Sequence, residues 1–243
     1  MSEQLIAFVD LLGFGSIVEA QDDSHHAQIL SLLTDLAKAK REAELKRITV
    51  DAVNSRIDAA PAISAFSDHI VFSFPGDQLE QLGTGPIIWQ VTADVARIFR
   101  RAIGIGCLVR GGITIGQLHH DAHVVFGPGL VEAYKLESKF AGRARVILSA
   151  KAVKRIGKNP FLRCDDDGFS YIDYVREAYD QVTKGLIGAE RETESRNWVT
   201  DVRKHCEDQI SALTEKGNLA GLQNWRWFLN RFERFVAKPA NGF

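Results

Sequence analysis

The chain has 243 residues, of which 45% are hydrophobic and 25% are charged. This composition is typical of a globular protein with one sizeable domain or two small ones. Lys and Arg together number 30 and Asp and Glu number 31, so the formal net charge is −1. The lack of a basic excess argues against nucleic acid or an anionic membrane as the partner. No apolar run approaches the roughly 20 residues that span a bilayer.

The start of the chain and its cysteine content favour a cytoplasmic protein. The segment from Met1 to Gln4 has no basic n-region and no cleavable signal pattern. The three cysteines are Cys107, Cys164 and Cys206, an odd number without Cys-x-x-Cys spacing. We therefore expect neither a disulfide scaffold nor a cysteine-rich zinc site, and a reducing compartment is the natural one.

The N-terminal region predicts a strand, a glycine-bearing turn and a helix. The apolar run 5–9 is typical of a buried strand and stops at Asp10. Gly13 and Gly15 then predict a tight turn with exposed backbone. A helix capped within 22–24 should follow and continue into a charged stretch; its apolar face has helical spacing and consists of Ile29, Leu32, Leu33 and Leu36.

The next region predicts a β-hairpin and a long helix. Two β-rich runs, 62–66 and 69–74, flank Ser67-Asp68, and a polar dipeptide between such runs is typical of a hairpin tip. The helix after the hairpin has one apolar face, formed by Ile88, Val91, Val95, Ile98, Phe99 and Ala102.

The middle of the chain completes the predicted sheet. Residues 105–116 predict an apolar strand, with 124–126 as its hairpin partner. A helix is expected from Leu130 to about Phe140, and 146–148 should form a short strand. The order is β-α-β-β-α-β with an added hairpin and helix. It predicts an α+β, ferredoxin-like fold, an antiparallel sheet with helices on one face.

The end of the chain predicts two helices. We expect residues 1–185 to form one domain and 186–243 to form a helical extension that packs on the core or on a dimer partner. Apolar residues at helical spacing mark one helix face with Trp198, Val202 and Ile210, and another with Trp225, Phe228, Leu229, Phe232 and Val236.

Two carboxylates are candidates for a metal site. Asp10 follows a buried strand and Asp68 lies at the predicted hairpin tip, so both emerge at one sheet edge if their strands are neighbours. Two converging carboxylates without a basic partner repel each other unless a cation joins them. Divalent ions held in this way serve phosphoryl and nucleotidyl transfer, and the amides of 12–15 could cradle phosphates. The alternative is that both residues simply suit turns.

These residues carry a family resemblance. Residues 8–14, Phe-Val-Asp-Leu-Leu-Gly-Phe, resemble the F-x-D-x-x-G-F opening of class III nucleotide cyclases. Residues 66–70 resemble the hairpin tip that carries the second metal-binding Asp of that family. Residues 127–138 resemble its glycine-led helix. The matched order covers roughly residues 5–150, and it implies a class III cyclase core with a helical C-terminal extension.

A closer resemblance is to the bacterial pyrimidine cyclases of the Pycsar antiphage systems. Residues 110–113, Arg-Gly-Gly-Ile, and 132–137, Glu-Ala-Tyr-Lys-Leu-Glu, carry this likeness together with the opening motif. It implies a product that is cyclic UMP or cyclic CMP, UTP as the favoured substrate, and a cognate effector protein that senses the product.

The resemblance also implies roles for single residues. Two Mn²⁺ or Mg²⁺ ions would lie between Asp10 and Asp68, with the Leu11 carbonyl as a further ligand. Amides around Phe14 and Gly15 would bind the β- and γ-phosphates. Lys135 and Arg110 would stabilise charge in the transition state. Sites of this family form between two catalytic domains, so a homodimer with two sites is implied.

The chain departs from the family pattern at several positions. Val131 takes the place of the usual Asn, and Lys135 that of the usual Arg, which keeps the charge but loses the bidentate fork. The purine-reading Lys of adenylate cyclases would fall near Ser64 and the paired Asp near Val124, and neither residue can do that job. These substitutions argue against an ordinary adenine site.

Other residue groups allow alternative interpretations. The cluster of His119, His120, Asp121 and His123 is a transition-metal candidate or a solvated hairpin loop. Glu132 and Glu137 are possible ligands, or surface charges or dimer-contact residues on a helix. The run 165–168, Asp-Asp-Asp-Gly, favours a β-turn over a calcium loop.

Three other functions stay open at this point. The first is a general class III adenylate or guanylate cyclase. The second is a degenerate nucleotide-binding module without turnover, against which the retained Asp10 and Asp68 count. The third is an RNA-binding ferredoxin-like module, which the neutral charge disfavours.

Overall fold

The structure is a computed structural model that describes residues 1–19, 26–31, 34 and 61–237. Eight strands form one sheet in the order β2-β3-β1-β4-β6-β8-β7, and β5 pairs with β4 beside this path. The strands are β1 Ser2–Leu12, β2 Ala62–Phe66, β3 His69–Pro75, β4 Leu108–His120, β5 Val125–Phe126, β6 Val146–Leu148, β7 Leu162–Cys164 and β8 Ser170–Ile172.

Besides the helical residues 26–31, eight helices accompany the sheet in the described part of the chain. They are α1 Phe14–Glu19, α2 Gly76–Leu82, α3 Thr84–Ala102, α4 Pro128–Lys135, α5 Ala150–Ile156, α6 Tyr174–Thr183, α7 Gly188–Glu215 and α8 Leu219–Val236. A 3₁₀ turn, Ile103–Ile105, follows α3, and a π-helical segment, Leu136–Ala141, continues α4.

The α+β fold predicted from the sequence is confirmed. The first four strands lie in the order β2-β3-β1-β4, and all three pairs among them are antiparallel, as the ferredoxin-like pattern requires. Two details of the prediction are wrong. β4 pairs with β6 in parallel, and α4 packs on the second face of the sheet, where Ala133 meets Ile6 and Phe8.

Helices cover the two faces of the sheet to different extents. Because side chains alternate along a strand, the odd-numbered residues of β1 from Leu5 to Leu11 point into the main core beneath α3. The even-numbered residues point to the other face, which we call the open face, and α4 covers only part of it. Asp10 is one of these even-numbered residues, so the candidate site belongs to the open face.

Several predicted boundaries shift in the structure. β1 runs through Asp10 to Leu12, so Asp10 lies inside the strand, and the turn comes at Gly13 with φ of 97°. The glycine-led helix begins at Pro128, two residues before its predicted start. Helix α2 was not expected after Pro75.

Of the helix predicted around Ile29, residues 26–31 are helical and Ile29 is buried. Leu32, Leu33, Leu36 and the charged continuation lie outside the described residues.

The C-terminal helices pack against the main core. Val202 and Cys206 of α7 and Trp225, Phe228 and Phe232 of α8 are buried in the same cluster as the sheet. The division at residue 185 stays a prediction. No helix in the described part of the chain combines the length and the apolar character needed to cross a bilayer.

The acidic turn of residues 165–168 has a structural partner that its sequence did not reveal. The predicted turn joins β7 and β8, which pair in antiparallel. Asp165 and Asp167 both accept hydrogen bonds from the guanidinium of Arg145, whose side chain is almost fully buried, and the Nη1–Oδ2 distance to Asp165 is 2.5 Å. A buried charge is tolerated when it is paired in this way.

Gly112 of β4 allows α4 and the π-helical segment to lie directly on the sheet. A Cβ atom at this position would come within 2.4 Å of the Ala133 carbonyl oxygen and 2.5 Å of Leu136 Cβ. The missing side chain is therefore what brings Glu137, the residue after Leu136, down onto β4.

We predict that Gly112→Ala lowers the free energy of unfolding by about 1–3 kcal/mol, because the added methyl group overpacks this contact. The matched control is Gly85→Ala in α3, where a Cβ meets nothing within 4 Å. That change should leave stability unchanged or raise it by up to about 1 kcal/mol. Urea denaturation measures both, and equal stability of the two variants would contradict the contact.

Candidate active site

The two carboxylates singled out from the sequence come together in the structure. Asp10 lies near the end of β1, and Asp68 lies in the two-residue tip between β2 and β3. The Leu11 amide donates a hydrogen bond to the Asp68 carbonyl at 3.1 Å, which fixes the tip against the strand. The hairpin and the sheet register thus hold both side chains at one edge, as predicted.

His69 completes this carboxylate group. Its Nδ1 lies 3.0 Å from Asp68 Oδ1, and its Nε2 lies 3.6 Å from Asp10 Oδ1. One ligand atom from each of the three residues falls within 4.8 Å of the others. The hairpin motif of residues 66–70 includes His69 but predicts no role for it. Its place opposite Asp10 in the register of β3 with β1 is the signal that could have found it.

The expectation that these carboxylates have no basic partner is wrong. Arg110 lies opposite Asp10 in the register of β1 with β4, and its Nη2 lies 3.4 Å from Asp10 Oδ2. Its Nε donates to Glu137 Oε1 at 2.5 Å. The error arose because residues 100 positions apart in the sequence meet only through strand pairing.

Glu137 is a buried carboxylate with only 3% of its surface exposed. Its two contacts with Arg110 orient the guanidinium, whose other end reaches Asp10. The alternative that Glu137 is a helix-surface charge is therefore wrong. Glu132, by contrast, is partly exposed and pairs with Lys151 at 2.5 Å, outside this group.

Burial dominates the electrostatics of Asp10. Desolvation raises the pKa of its carboxyl from the ordinary value near 3.8 to about 6, and the nearby negative charge of Glu137 adds to the rise. The charges of Arg110 and His69 act in the opposite direction without cancelling it. Asp10 is therefore a carboxylate whose ionised form is poorly compensated, and a bound cation would favour that form.

The donor set suits a hard divalent cation. Two carboxylates are the ligands that Mg²⁺ and Mn²⁺ prefer, and an imidazole is also acceptable to Mn²⁺. The residues that would hold the ion are Asp10 and Asp68, with His69 beside them. The Leu11 side chain is a hydrocarbon with no ligand atom, so this residue could add only its carbonyl oxygen.

Phe14 and Gly15, expected to offer phosphate-binding amides, form the first turn of α1 directly after Gly13. The Phe14 ring is buried, and Gly15 is exposed. The turn follows β1 immediately, so these amides lie next to the carboxylate group in the chain. Their predicted role stays a prediction.

Lys135 does not join the group in its own chain. It is an exposed residue two positions before Glu137, and successive residues of a helix turn by roughly 100°. Glu137 faces Arg110, so Lys135 points away from it toward solvent. Val131 and Tyr134, also on α4, are likewise about half exposed.

The histidine-rich hairpin is a loop with one inward-facing residue. Asp121 accepts hydrogen bonds from the amides of His123 and Val124 at 2.8 Å and lies 2.8 Å from His119 Nε2, as in a solvated turn. His120 instead lies near Ser64 and Ser73. Among the described residues, three such ligand atoms lie within 4.8 Å of one another at Asp10, Asp68 and His69 and not in this cluster.

Comparison with known proteins finds distant likeness only. No family model and no curated protein matches the chain. The guanylate cyclase domain of RhGC from Catenaria anguillulae, solved in complex with GTP, has 12% identity and a TM-score of 0.42 over 70% of this chain and 93% of that one. The monomeric guanylyl cyclase domain of RhoGC from Blastocladiella emersonii has the same identity and TM-score over 71% and 95%.

A bacterial light-regulated adenylyl cyclase is also similar. It has 12% identity and a TM-score of 0.36 over 83% of this chain and 57% of that one. Likeness at this level is remote, and the site described above depends on the residues of this chain alone.

The raised pKa of Asp10 predicts a pH dependence of stability. A carboxyl with a pKa near 6 in the folded state and near 3.8 when unfolded holds more protons in the folded state between these values. The free energy of unfolding of the metal-free protein should therefore fall as pH rises from about 4 to about 6, by up to about 3 kcal/mol.

Asp10→Asn should remove this contribution, so the variant should be more stable than the wild type at pH 7 without metal. The difference in free energy of unfolding between the two proteins, measured by urea denaturation from pH 4 to pH 8, isolates Asp10 from other titrating groups. A difference that does not change with pH would contradict the raised pKa.

Proposed function

We propose that this protein is a nucleotide cyclase that converts UTP to 3′,5′-cyclic UMP and pyrophosphate. The observation that carries the proposal is the convergence of Asp10, Asp68 and His69 at one sheet edge with Arg110 beside them. The family resemblance of the sequence motifs indicates which reaction the site would catalyse. In it, the 3′-hydroxyl attacks the α-phosphate of its own nucleotide and pyrophosphate leaves.

The carboxylate group is suited to binding the metal-complexed triphosphate. Bound Mn²⁺ or Mg²⁺ would lower the pKa of the attacking hydroxyl and neutralise the leaving pyrophosphate. Asp10 and Asp68 would hold the ions, with the Leu11 carbonyl as a further ligand. The sheet register and the hydrogen bond at the hairpin tip hold the backbone of both residues in place.

Arg110 is suited to a phosphate oxygen in the same site. Its guanidinium is held from one side by buried Glu137, and its contact with Asp10 is long, at 3.4 Å. When a cation takes over the charge of Asp10, Arg110 keeps its position through Glu137 and can donate to a phosphate. Glu137 is thus a positioning residue.

The site is completed by a second copy of the chain. Lys135 points away from the carboxylates of its own chain, so its predicted role at the phosphates requires a partner. The face that carries it also exposes large apolar side chains; these are Phe66, Val131 and Tyr134, each about half exposed. Exposed apolar residues of this kind mark interaction surfaces, and a homodimer would pair each Lys135 with the partner's carboxylate group.

The proposed pyrimidine preference rests on the absence of side chains that could read a purine base. Ser64 and Val124 stand at the positions that read a purine in adenylate cyclases, and Val124 has no polar side-chain atom. With the resemblance to Pycsar cyclases, this favours UTP, with CTP second. We propose the cytoplasm as the compartment, and antiphage signalling through a product-sensing effector as the biological role.

We predict that the purified protein with MnCl₂ forms cyclic UMP from UTP, less cyclic CMP from CTP, and little product from ATP or GTP. Mass spectrometry of the four reactions identifies the products. Asp10→Asn and Asp68→Asn should each lower turnover by at least about 100-fold at saturating metal, since each removes a charged ligand.

Two controls make this result interpretable. Glu132→Gln changes an exposed carboxylate outside the group and should keep wild-type turnover, while thermal unfolding checks the fold of each variant. Cyclic AMP or cyclic GMP as the main product would overturn the pyrimidine preference. Near-normal turnover of either Asp variant would overturn the metal assignment.

We further predict that two inactive variants complement each other. Asp10→Asn and Lys135→Ala chains, mixed and reassembled, should regain up to about a quarter of wild-type activity, since half of a random mixture is heterodimer and each heterodimer retains one intact site of two. Differently tagged chains allow the heterodimer to be purified before assay. An inactive, verified heterodimer would show that Lys135 does not act across the interface.

A further inference from the structure

A cavity of about 480 Å³ lies near the opposite end of β4 from the carboxylate group. Gln117 of β4 lines it, seven positions along the strand from Arg110, which corresponds to roughly 23 Å at the usual rise per residue. The cavity is therefore separate from the candidate active site. Its charged and polar lining residues are Glu3 of β1, Gln117 of β4, Glu132 of α4, and Lys151 and Arg155 of α5.

Two glycines also line this cavity and let a cation approach the sheet. A Cβ atom at Gly116 of β4 would lie 3.0 Å from the Cα atom of Gly129 in α4 and 3.6 Å from Lys151 Nζ. The missing side chain at Gly116 thus leaves room for the ammonium group of Lys151 beside the backbone of β4. This group consequently belongs to the cavity wall, although about half of the Lys151 side chain is exposed.

Two cationic side chains line the cavity from successive turns of α5. Lys151 and Arg155 are four positions apart, the spacing that places side chains on one face of a helix. Lys151 Nζ donates to Glu132 Oε2 at 2.5 Å, whereas Arg155 Nη2 lies 3.8 Å from Glu80 Oε1. Because the Arg155 pair is long and solvent-exposed, it contributes little, and the guanidinium can bind a ligand without losing a strong contact.

The carboxylates of Glu3 and Glu132 line the same cavity. A carboxylate accepts hydrogen bonds and repels other anions. A bare anion would therefore meet both attraction and repulsion here, whereas hydroxyl groups attached to the anion could donate to Glu3 and Glu132. The lining thus favours a ligand that joins an anionic group to hydroxyl groups.

We infer that this cavity binds a small phosphorylated metabolite that carries hydroxyl groups, in the manner of a sugar phosphate. Lys151 and Arg155 bind the phosphate, to which a planar guanidinium donates two parallel hydrogen bonds. Glu3 and Glu132 accept hydrogen bonds from the hydroxyl groups. The cavity volume of about 480 Å³ lies within the range of roughly 300–1,000 Å³ that is usual for small-molecule pockets. The inference concerns a second ligand and does not depend on the proposed function.

The test measures binding to the metal-free protein. Isothermal titration in EDTA is carried out with ribose 5-phosphate, inorganic phosphate and ribose. We expect ribose 5-phosphate to bind more tightly than inorganic phosphate, and ribose not to bind. Lys151→Gln and Arg155→Gln should each lower the affinity for ribose 5-phosphate by about tenfold, because each removes a charged hydrogen-bond donor.

Glu132→Gln should act in the opposite direction. It releases Lys151 from its carboxylate partner and removes a negative charge, while the amide oxygen can still accept a hydrogen bond. We expect the affinity for inorganic phosphate to rise by about threefold or more. An unchanged or lower affinity of this variant would contradict the placement of the phosphate at Lys151.

A matched control lies on the same helix. Lys154 carries the same charge, is adjacent to Arg155 and does not line the cavity, so Lys154→Gln should keep wild-type affinity. Thermal unfolding without ligand checks the fold of each variant. An equal loss of affinity in the three cation variants would reduce the effect to overall charge and overturn the inference, as would a wild type that does not bind ribose 5-phosphate.

Nuclear magnetic resonance locates the ligand. In the ¹⁵N-labelled protein, ribose 5-phosphate should shift the amide signals of Gly116 and Gly129 and leave those of Asp68 and His69 unchanged. Shifts confined to the hairpin tip would place the ligand in the candidate active site and overturn the inference. None of these measurements uses a nucleoside triphosphate, so their failure leaves the proposed cyclase activity standing, and failure of the cyclase assay leaves the assignment of the cavity standing.

Discussion

The pairing register of β1 is the constraint on which the rest of the site depends. Asp10 lies opposite His69 on one side and opposite Arg110 on the other, in two antiparallel ladders. Side chains at paired positions project to the same face of a sheet. One register therefore assembles a carboxylate, an imidazole and a guanidinium, and a slip of one residue would send Asp10 into the main core.

The charges gathered by this register explain why the group suits a cation. Three carboxylates, those of Asp10, Asp68 and Glu137, meet one guanidinium, that of Arg110, with His69 as a titratable neighbour. Burial of Asp10 makes its ionised form costly, and its pKa rises to about 6 despite the nearby arginine. Glu137 contacts Arg110, and a divalent ion held by Asp10 and Asp68 would relieve the excess negative charge.

The open face carries the polar and exposed apolar side chains that are not packed into the main core. The opposite face is buried beneath α3 and the C-terminal helices, whereas the open face exposes Phe66, Val131 and Tyr134 and carries the hydrogen-bonded pair of Ser64 and His120. A close approach at Gly112 lets α4 cover part of this face and still leaves the hairpin tip accessible. Metal binding and dimer contact are thus both proposed for the open face, because the opposite face is buried in the core.

The sequence by itself determined the first strand, the hairpin, the long helix α3 and the placement of Asp10 and Asp68 at one sheet edge. Alternation and turn chemistry are local properties, so the hairpin with Asp68 at its tip and the long helix α3 were predictable. Only the tertiary structure decided what these residues meet. Arg110 pairs with Asp10, Glu137 is buried against Arg110, and His120 joins Ser64 to Ser73, each across 27 or more positions of the chain. Such contacts depend on strand order and register, which no local pattern encodes.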